Sequence, residues 1–508
     1  MKFLVFVTTA LFIKVPLIYI FSSKIRLFFC PNTIERSSPR IVIIGAGVAG
    51  IAAATSLLDR GFDNVTVIEA EDRIGGRVHS VPFGQKHVDL GAHWIHGEVD
   101  NPVYGLVHKM DIVHNSGDFN NVHFVSDDGR TIPTNVGMNL FARAGSVLDN
   151  DTELRNSSGS LRDFLLPRCK ELGENLIPEE DLLNAFVNWV EKFECTIEGC
   201  DNLRDVSAAG LTHYKQCDGD PIIAWNSGGY SNIIDILLRR HPKCVGPPVP
   251  IEDHLVLNTK VKEIDWNGLT AFVKCEDRKF FKADHVIVTV SLGVLKEKYR
   301  SLFNPALPIE KIRAIVGLGI GTVNKIYLKF PHRWWPEDCS GFSLLRIKKF
   351  SGESVYPWED ELIGFYTESA IDPTVLGGWI IGDAARDIEV KSDEDVLDGC
   401  YRVLKRFLSH NYEIPRPTAI LRSKWFSNEN FRGSYSFRSV TTEMLNTSAD
   451  ILAKPLFNDY KKQMLMFAGE ATHNHFYSTV HGAMETGWRE AKRIAEIYVP
   501  LNQLKSSL

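Results

Sequence analysis

A cluster of glycines constrains this chain more than any other feature. Ile41–Ile44 reads as a buried strand, and Gly45-Ala-Gly-Val-Ala-Gly50 turns it into a helix running to about Arg60. Gly61 then supplies a stop, and Val65–Glu69 reads as the next parallel strand. This is one βαβ unit with a dinucleotide fingerprint. Gly45 permits the tight turn, Gly47 lets the backbone approach a pyrophosphate, and Gly50 lets helix and sheet pack closely. The free N–H groups of the helix start suit phosphates. Glu69, at the strand end, is placed to accept hydrogen bonds from an adenosine ribose.

The 508 residues allow two to four domains. Hydrophobic residues make up 44% and charged residues 24%, which excludes wholesale disorder and a multi-span membrane protein. A formal charge of −6 leaves no basic field for nucleic acid and is compatible with a cationic substrate. The nine cysteines show no zinc-like spacing. Cys195, Cys200 and Cys217 read as buried thiols, with one disulfide among them as the alternative in an oxidising compartment.

Residues 1–39 read as a signal or anchor-like segment. Phe3–Phe21 is apolar apart from Lys14 and a few small polar residues, and contains Pro16. Its first half has the length of a signal-peptide core, while a central Lys costs a spanning helix about 3 kcal/mol. The expected destination is the secretory pathway, secreted or anchored, with the cytoplasm as alternative. Membrane contact is expected only through this segment. Asn64, Asn150, Asn156 and Asn446 stand in N-x-S/T sequons, and Ser506-Ser507-Leu508 is not the S-K-L peroxisomal address.

Farther along, helical patterns occupy 160–195, and Gly246-Pro-Pro-Val-Pro250 marks a loop. Strand patterns follow at 255–265, 270–276, 285–290, 320–330, 341–347 and 362–368, then a helix at 393–410. Met464–Ala468 is a short strand. The last helix, 481–498, puts Met484, Trp488, Ala491, Ala495 and Tyr498 on one face.

After Glu69 comes a second glycine pair and an arginine suited to phosphate, in Glu69-Ala-Glu-Asp-Arg-Ile-Gly-Gly-Arg77. Here the chain resembles the flavin-containing amine oxidases. The resemblance continues through Gly91-Ala-His-Trp-Ile-His-Gly97, Val286-Ile-Val-Thr-Val-Ser-Leu-Gly-Val-Leu-Lys296, Phe467-Ala-Gly-Glu-Ala-Thr472 and Ser478-Thr-Val-His-Gly-Ala483. The Gly91–Gly97 segment is most similar to the animal polyamine-oxidase branch.

The resemblance implies an α/β fold. A Rossmann-like, glutathione-reductase-like FAD-binding domain is built from 40–105, 225–310 and 440–500. An α+β substrate domain is built from 106–224 and 311–439. FAD-binding positions carried over are Gly45, Gly47, Gly50, Glu69, Gly76, Arg77, Glu470, Thr479 and Val480. Monoamine oxidases tether FAD to a cysteine near the C-terminus. No cysteine follows Cys400, so FAD is expected to be non-covalent. Ser478-Thr479 is placed to cap the last helix, whose dipole suits the negative charge of a reduced flavin.

The implied reaction is oxidation of spermine, spermidine or an N1-acetyl derivative by hydride transfer, with O2 as final acceptor. Lys325 matches the lysine that holds a water near flavin N5, and Lys329 is its decoy. His96 matches the position beside the substrate amine. Glu194 and Glu198, four residues apart, are the candidate carboxylates for distal cationic nitrogens. Tyr435 fits one aromatic wall, and Thr479 stands where other members carry Tyr. His473, His475 and His481 look like a metal cluster but read better as cofactor wall, so no metal is expected. Alternatives are an L-amino-acid oxidase, a histone-lysine demethylase type, or a catalytically silent flavoprotein.

Overall fold

The computed structural model describes residues 38–116, 121–347, 357–368 and 372–498. The N-terminal signal or anchor reading therefore lies outside the described residues, as does Cys30. From Pro39 onward the chain forms one compact unit.

The fingerprint strand Ile41–Ile44 is central in a six-stranded sheet. It pairs in parallel with Val65–Ile68 on one side and His285–Val288 on the other. Gln463–Phe467 extends the sheet in parallel, and Leu456–Phe457 closes that edge antiparallel. All four residues of Ile41–Ile44 are buried, as a strand covered on both faces requires. The helix Val48–Asp59 covers one face and packs on the final helix, Val480–Tyr498. There Met484, Ala491 and Ala495 join Ala49, Ala52 and Ala53 in one core cluster, with Trp488 and Tyr498 partly buried against it. A Cβ on Gly487 would stand 2.2 Å from the Ala49 carbonyl oxygen, so the two helices meet at backbone distance.

A second, seven-stranded mixed sheet is centred on Val323–Lys329, Val375–Ile381, Gly364–Thr367 and Gly341–Leu345. Val375–Ile381 hides from a pattern reading because Gly377 and Gly378 interrupt it. A Cβ on Gly378 would stand 2.9 Å from the Gly364 oxygen, so the neighbouring strand's approach requires the gap. The helical stretch at 160–195 is two helices, Leu161–Gly173 and Glu180–Glu198. The second ends at Gly199 in the left-handed region (φ +70°), where glycine is the natural C-terminal stop.

The strands of the first sheet come from 41–68, 255–288 and 456–467, and those of the second from 122–132, 323–381 and 419–422. Eight cysteines are described and all are free thiols, Cys195, Cys200 and Cys217 included.

The turn at Gly50 yields a test. A Cβ there would stand 1.9 Å from the Gly45 oxygen, inside van der Waals contact. Gly50→Ala should cost about 1–3 kcal/mol, the usual price of overpacking. Thermal unfolding would register it as a lower midpoint.

Candidate active site

The C-terminal ends of the parallel strands open onto a continuous cavity of about 1150 Å³. One end is the dinucleotide cradle. Gly45, with φ +104°, has Thr289 Oγ1 where a Cβ would stand, at 2.6 Å. Gly76, with φ +61°, would bring a Cβ to 3.1 Å from Gly47 Cα. The helix starting at Val48 has no side-chain cap, so its first N–H groups are left for a phosphate. Glu69 is buried in the wall, and its carboxylate accepts from the backbone N–H of Ala46 (2.7 Å) and Glu71 (2.9 Å). These bonds fix the carboxylate at the strand end, although burial raises its pKa.

Arg77 donates from Nη1 to the Ser434 carbonyl (2.8 Å) and pairs with Glu470 (3.0 Å). Glu470 in turn accepts from Ser436 Oγ (2.6 Å) and the Ser478 N–H (2.8 Å). Arg77 and Glu470 thus brace each other in the cavity wall. Thr479 caps the last helix, its Oγ1 accepting from the Gly482 N–H at 3.0 Å, and Val480 lines the cavity beside it. Ser478 does not share the capping role, because its hydroxyl donates to the Ser436 carbonyl. The glycines, open helix start and anchored Glu69 fit a flavin adenine dinucleotide.

Lys325 rises from Val323–Lys329 into the middle of the cavity. Its ammonium donates to the carbonyls of Asp89 (3.0 Å) and Gly91 (2.8 Å), leaving one N–H. It lies 5.9 Å from the centre of the Trp94 ring. Burial brings its pKa down to about 8, with the charges of Asp89 and Glu368 opposing. Lys329 instead pairs with Asp372 at 3.3 Å and lines no part of the cavity.

His96 follows Ile95, whose backbone bonds with Ile223 position this segment. His96 Nδ1 lies 2.8 Å from the Pro221 carbonyl, which makes Nδ1 the donor and leaves Nε2 an acceptor. Desolvation lowers its pKa, so the ring stays neutral near pH 7. His93, three residues earlier, stacks on Trp94 with ring centres 4.2 Å apart.

Glu198 lines the cavity beside Tyr214 and Tyr477. Burial, then the Glu194 charge, pushes its pKa up to about 8, with Arg438 opposing. Glu194 does not line the cavity. It lies buried on the same helix, with burial raising its pKa to about 7, and its charge acts on Cys169 of the neighbouring helix. Four-residue spacing did not bring the pair to one wall, because the cavity faces the helix along Trp189, Phe193 and Ile197. Tyr435 lines the cavity and donates its hydroxyl to the Thr196 carbonyl. Phe476 lies behind the wall, stacked against His473.

The three histidines have separate uses. His473 Nε2 meets Glu485 (2.8 Å), His475 Nδ1 meets the His213 carbonyl (2.9 Å), and His481 is buried against Phe476. No group suited to a metal occurs among the described residues.

Sequence reading missed an aromatic belt of Trp94, Phe141, Trp189, Phe193, Tyr366 and Trp379 around the cavity. Trp94 was within reach, being inside the Gly91–Gly97 motif. The others converge from elements distant in sequence and carry no local signal.

Comparison with known proteins agrees with this geometry. Residues 48–495 match the model of the flavin containing amine oxidoreductases. The peroxisomal N(1)-acetyl-spermine/spermidine oxidase of Bos taurus is 33% identical over 92% of this chain and 96% of its own length. The Homo sapiens enzyme of that name is 34% identical over 91% and 96%. Lysine-specific histone demethylase 2 of Homo sapiens is 31% identical, but the match spans 53% of its length. A redesigned putrescine oxidase shares the fold, with a TM-score of 0.65 at 18% identity, over 90% of this chain and 99% of that one. The chain belongs to the flavin-containing amine oxidase family. Its cofactor is FAD.

Glu69→Ala removes a charge-assisted acceptor worth about 1.5–3 kcal/mol, so FAD affinity should fall at least tenfold in a fluorescence titration. Lys325 also predicts a pH effect. Its folded pKa is about 8 against 10.5 in the open chain, so between those values the unfolded state binds more protons. This group therefore adds stability as pH rises from 8 to 10.5. Unfolding of Lys325→Met across that window should lack the component.

Proposed function

We propose that this chain oxidises polyamines, taking spermine, spermidine or an N1-acetyl derivative, and that Lys325, His96 and Glu198 divide the work. The observation that carries the reading is their meeting in one cavity that continues into the dinucleotide cradle. The kinship with spermine/spermidine oxidases over nearly the whole chain supports the same substrate class.

Bound FAD supplies the hydride acceptor and returns the two electrons to O2, giving hydrogen peroxide. The substrate carbon loses a hydride while the nitrogen lone pair forms the C=N bond. That nitrogen must be unprotonated, and neutral His96, with Nε2 free to accept, holds its N–H or takes its proton. Lys325 uses its remaining N–H to hold a water at the reacting centre, and its lowered pKa lets it relay a proton near neutral pH. Water then hydrolyses the imine to an aldehyde and a shorter amine. Glu198 receives a distal nitrogen, whose positive charge favours the ionised carboxylate despite burial. Tyr435 and the aromatic belt hold the methylene stretches and exclude water.

None of the described cysteines lines the cavity, which supports non-covalent FAD. We also propose that the apolar run Phe3–Phe21 takes the protein into the secretory pathway, to be secreted or anchored by its N-terminus. No helix among the described residues is long and apolar enough to cross a membrane, so this reading rests on the run alone.

Stopped-flow kinetics with spermine, spermidine and their N1-acetyl forms test the enzymatic reading. Lys325→Met should slow flavin reduction or its reoxidation by O2 at least tenfold with FAD still bound, the usual scale of a lost proton relay being roughly 10²–10⁴. Lys329→Met should leave both rates unchanged. Rates that survive Lys325→Met, or no reduction by any polyamine, overturn the reading.

A further inference from the structure

The cradle around Glu69 has a second layer of wall, and part of it comes from the other sheet. Thr259 donates its N–H to the Glu69 carbonyl (2.8 Å), and Asn258 donates to the Glu71 carbonyl (3.0 Å). Lys260 therefore leaves this segment beside the anchored carboxylate. Against it lies the loop that follows Ala419–Arg422 of the seven-stranded sheet. Asn428 of that loop donates to Glu71 Oε1 (2.7 Å), and Arg432 pairs with Glu297 (2.5 Å). Between those two contacts Glu429 meets Lys260 at 2.6 Å, and both side chains line the cavity.

The loop is held firmly at one end and weakly at the other. Phe431 is buried and meets Trp425 edge to face, with ring centres 5.2 Å apart. Ser291 donates its hydroxyl to the Phe431 carbonyl (2.5 Å), and a Cβ on Gly293 would stand 2.5 Å from the same oxygen, so this end sits directly on the helix Leu292–Leu302. At the Glu429 end the closure is an ion pair whose side chains are 55% and 26% exposed, with Glu276 as a second, longer partner of Lys260 at 3.7 Å. Exposed ion pairs are weak and are screened by salt. That end opens at little cost.

We propose that Asn428–Phe431 is a strap of the cofactor site: closed by the Lys260–Glu429 pair, it covers the ribose end of FAD and sets how fast the cofactor leaves. The inference rests on the placement of the ribose at Glu69. Each member of the pair follows directly on a residue bonded to the Glu69–Glu71 stretch, Thr259 on one side and Asn428 on the other. The closed pair thereby spans the place the ribose takes. No described cysteine lines the cavity to tether FAD, so retention falls to contacts of this kind.

The test mixes the FAD-loaded full chain with an excess of isotopically labelled FAD, and mass spectrometry of the bound cofactor gives the exchange rate. Glu429→Gln and Lys260→Gln should each speed exchange by about two- to fivefold, the scale of one exposed ion pair. The double variant should be no faster than either single one, and added salt should speed the parent more than the variants. Lys260→Cys with Glu429→Cys, joined by a short bismaleimide, should slow exchange below the parent rate, with parent protein given the same reagent as the blank. Single effects that add in the double variant overturn the pairing. Glu69→Ala serves as the marker of the ribose. Fast exchange in Glu69→Ala, with parental rates in every strap variant and no effect of the linker, overturns the strap and leaves the ribose where it is placed. Parental exchange in Glu69→Ala as well overturns both.

Discussion

The ammonium of Lys325 is the interaction on which the centre of this molecule depends. It projects from the second sheet and donates to the carbonyls of Asp89 and Gly91, which belong to the segment leading into His96. A buried ammonium without acceptors is very costly, so the two carbonyls and the lysine fix each other's positions. Tyr327, on the same strand, donates its hydroxyl to the same Asp89 carbonyl at 2.8 Å. The strand that offers a proton donor to the cavity and the segment that offers the imidazole are thereby one rigid frame. Preorganisation of this kind is how a site avoids rearranging as charge moves.

The cavity this frame divides has unlike walls. At the dinucleotide cradle the wall is glycine backbone, a helix start and a carboxylate held by two N–H groups. Around Lys325 it is aromatic, with Trp94, Tyr366 and Trp379 among its lining. At Glu198 it carries a carboxyl whose pKa burial, then the Glu194 charge, pushes up to about 8.

How much of this was legible depended on the range of the contacts. The βαβ unit was readable because Gly45 and Gly50 meet within a few residues of one another, through sterics that a side chain would break, with Gly47 between them in the fingerprint spacing. The last helix was readable because its apolar period and its cap are local. Glu194 shows where that logic ends. Helical spacing predicted a shared face with Glu198, but which face meets the cavity is set by the packing of the neighbouring helices. Val375–Ile381 failed for the opposite reason. Its glycines are poor strand formers alone and are required only because Gly364 lies so close. The aromatic belt is wholly a product of tertiary structure.

The bracing of Arg77 by Glu470 has a consequence for the order in which the protein is made. Arg77 is made 393 residues before Glu470, and Ser478 and the helix Val480–Tyr498 come later still. The nascent chain holds the glycine turn long before it holds the partner that completes the cradle. Until that helix is made, the face of Val48–Asp59 that Gly487 will meet stays uncovered. The cradle that Gly45 opens is therefore whole only when two stretches far apart in the order of synthesis have met.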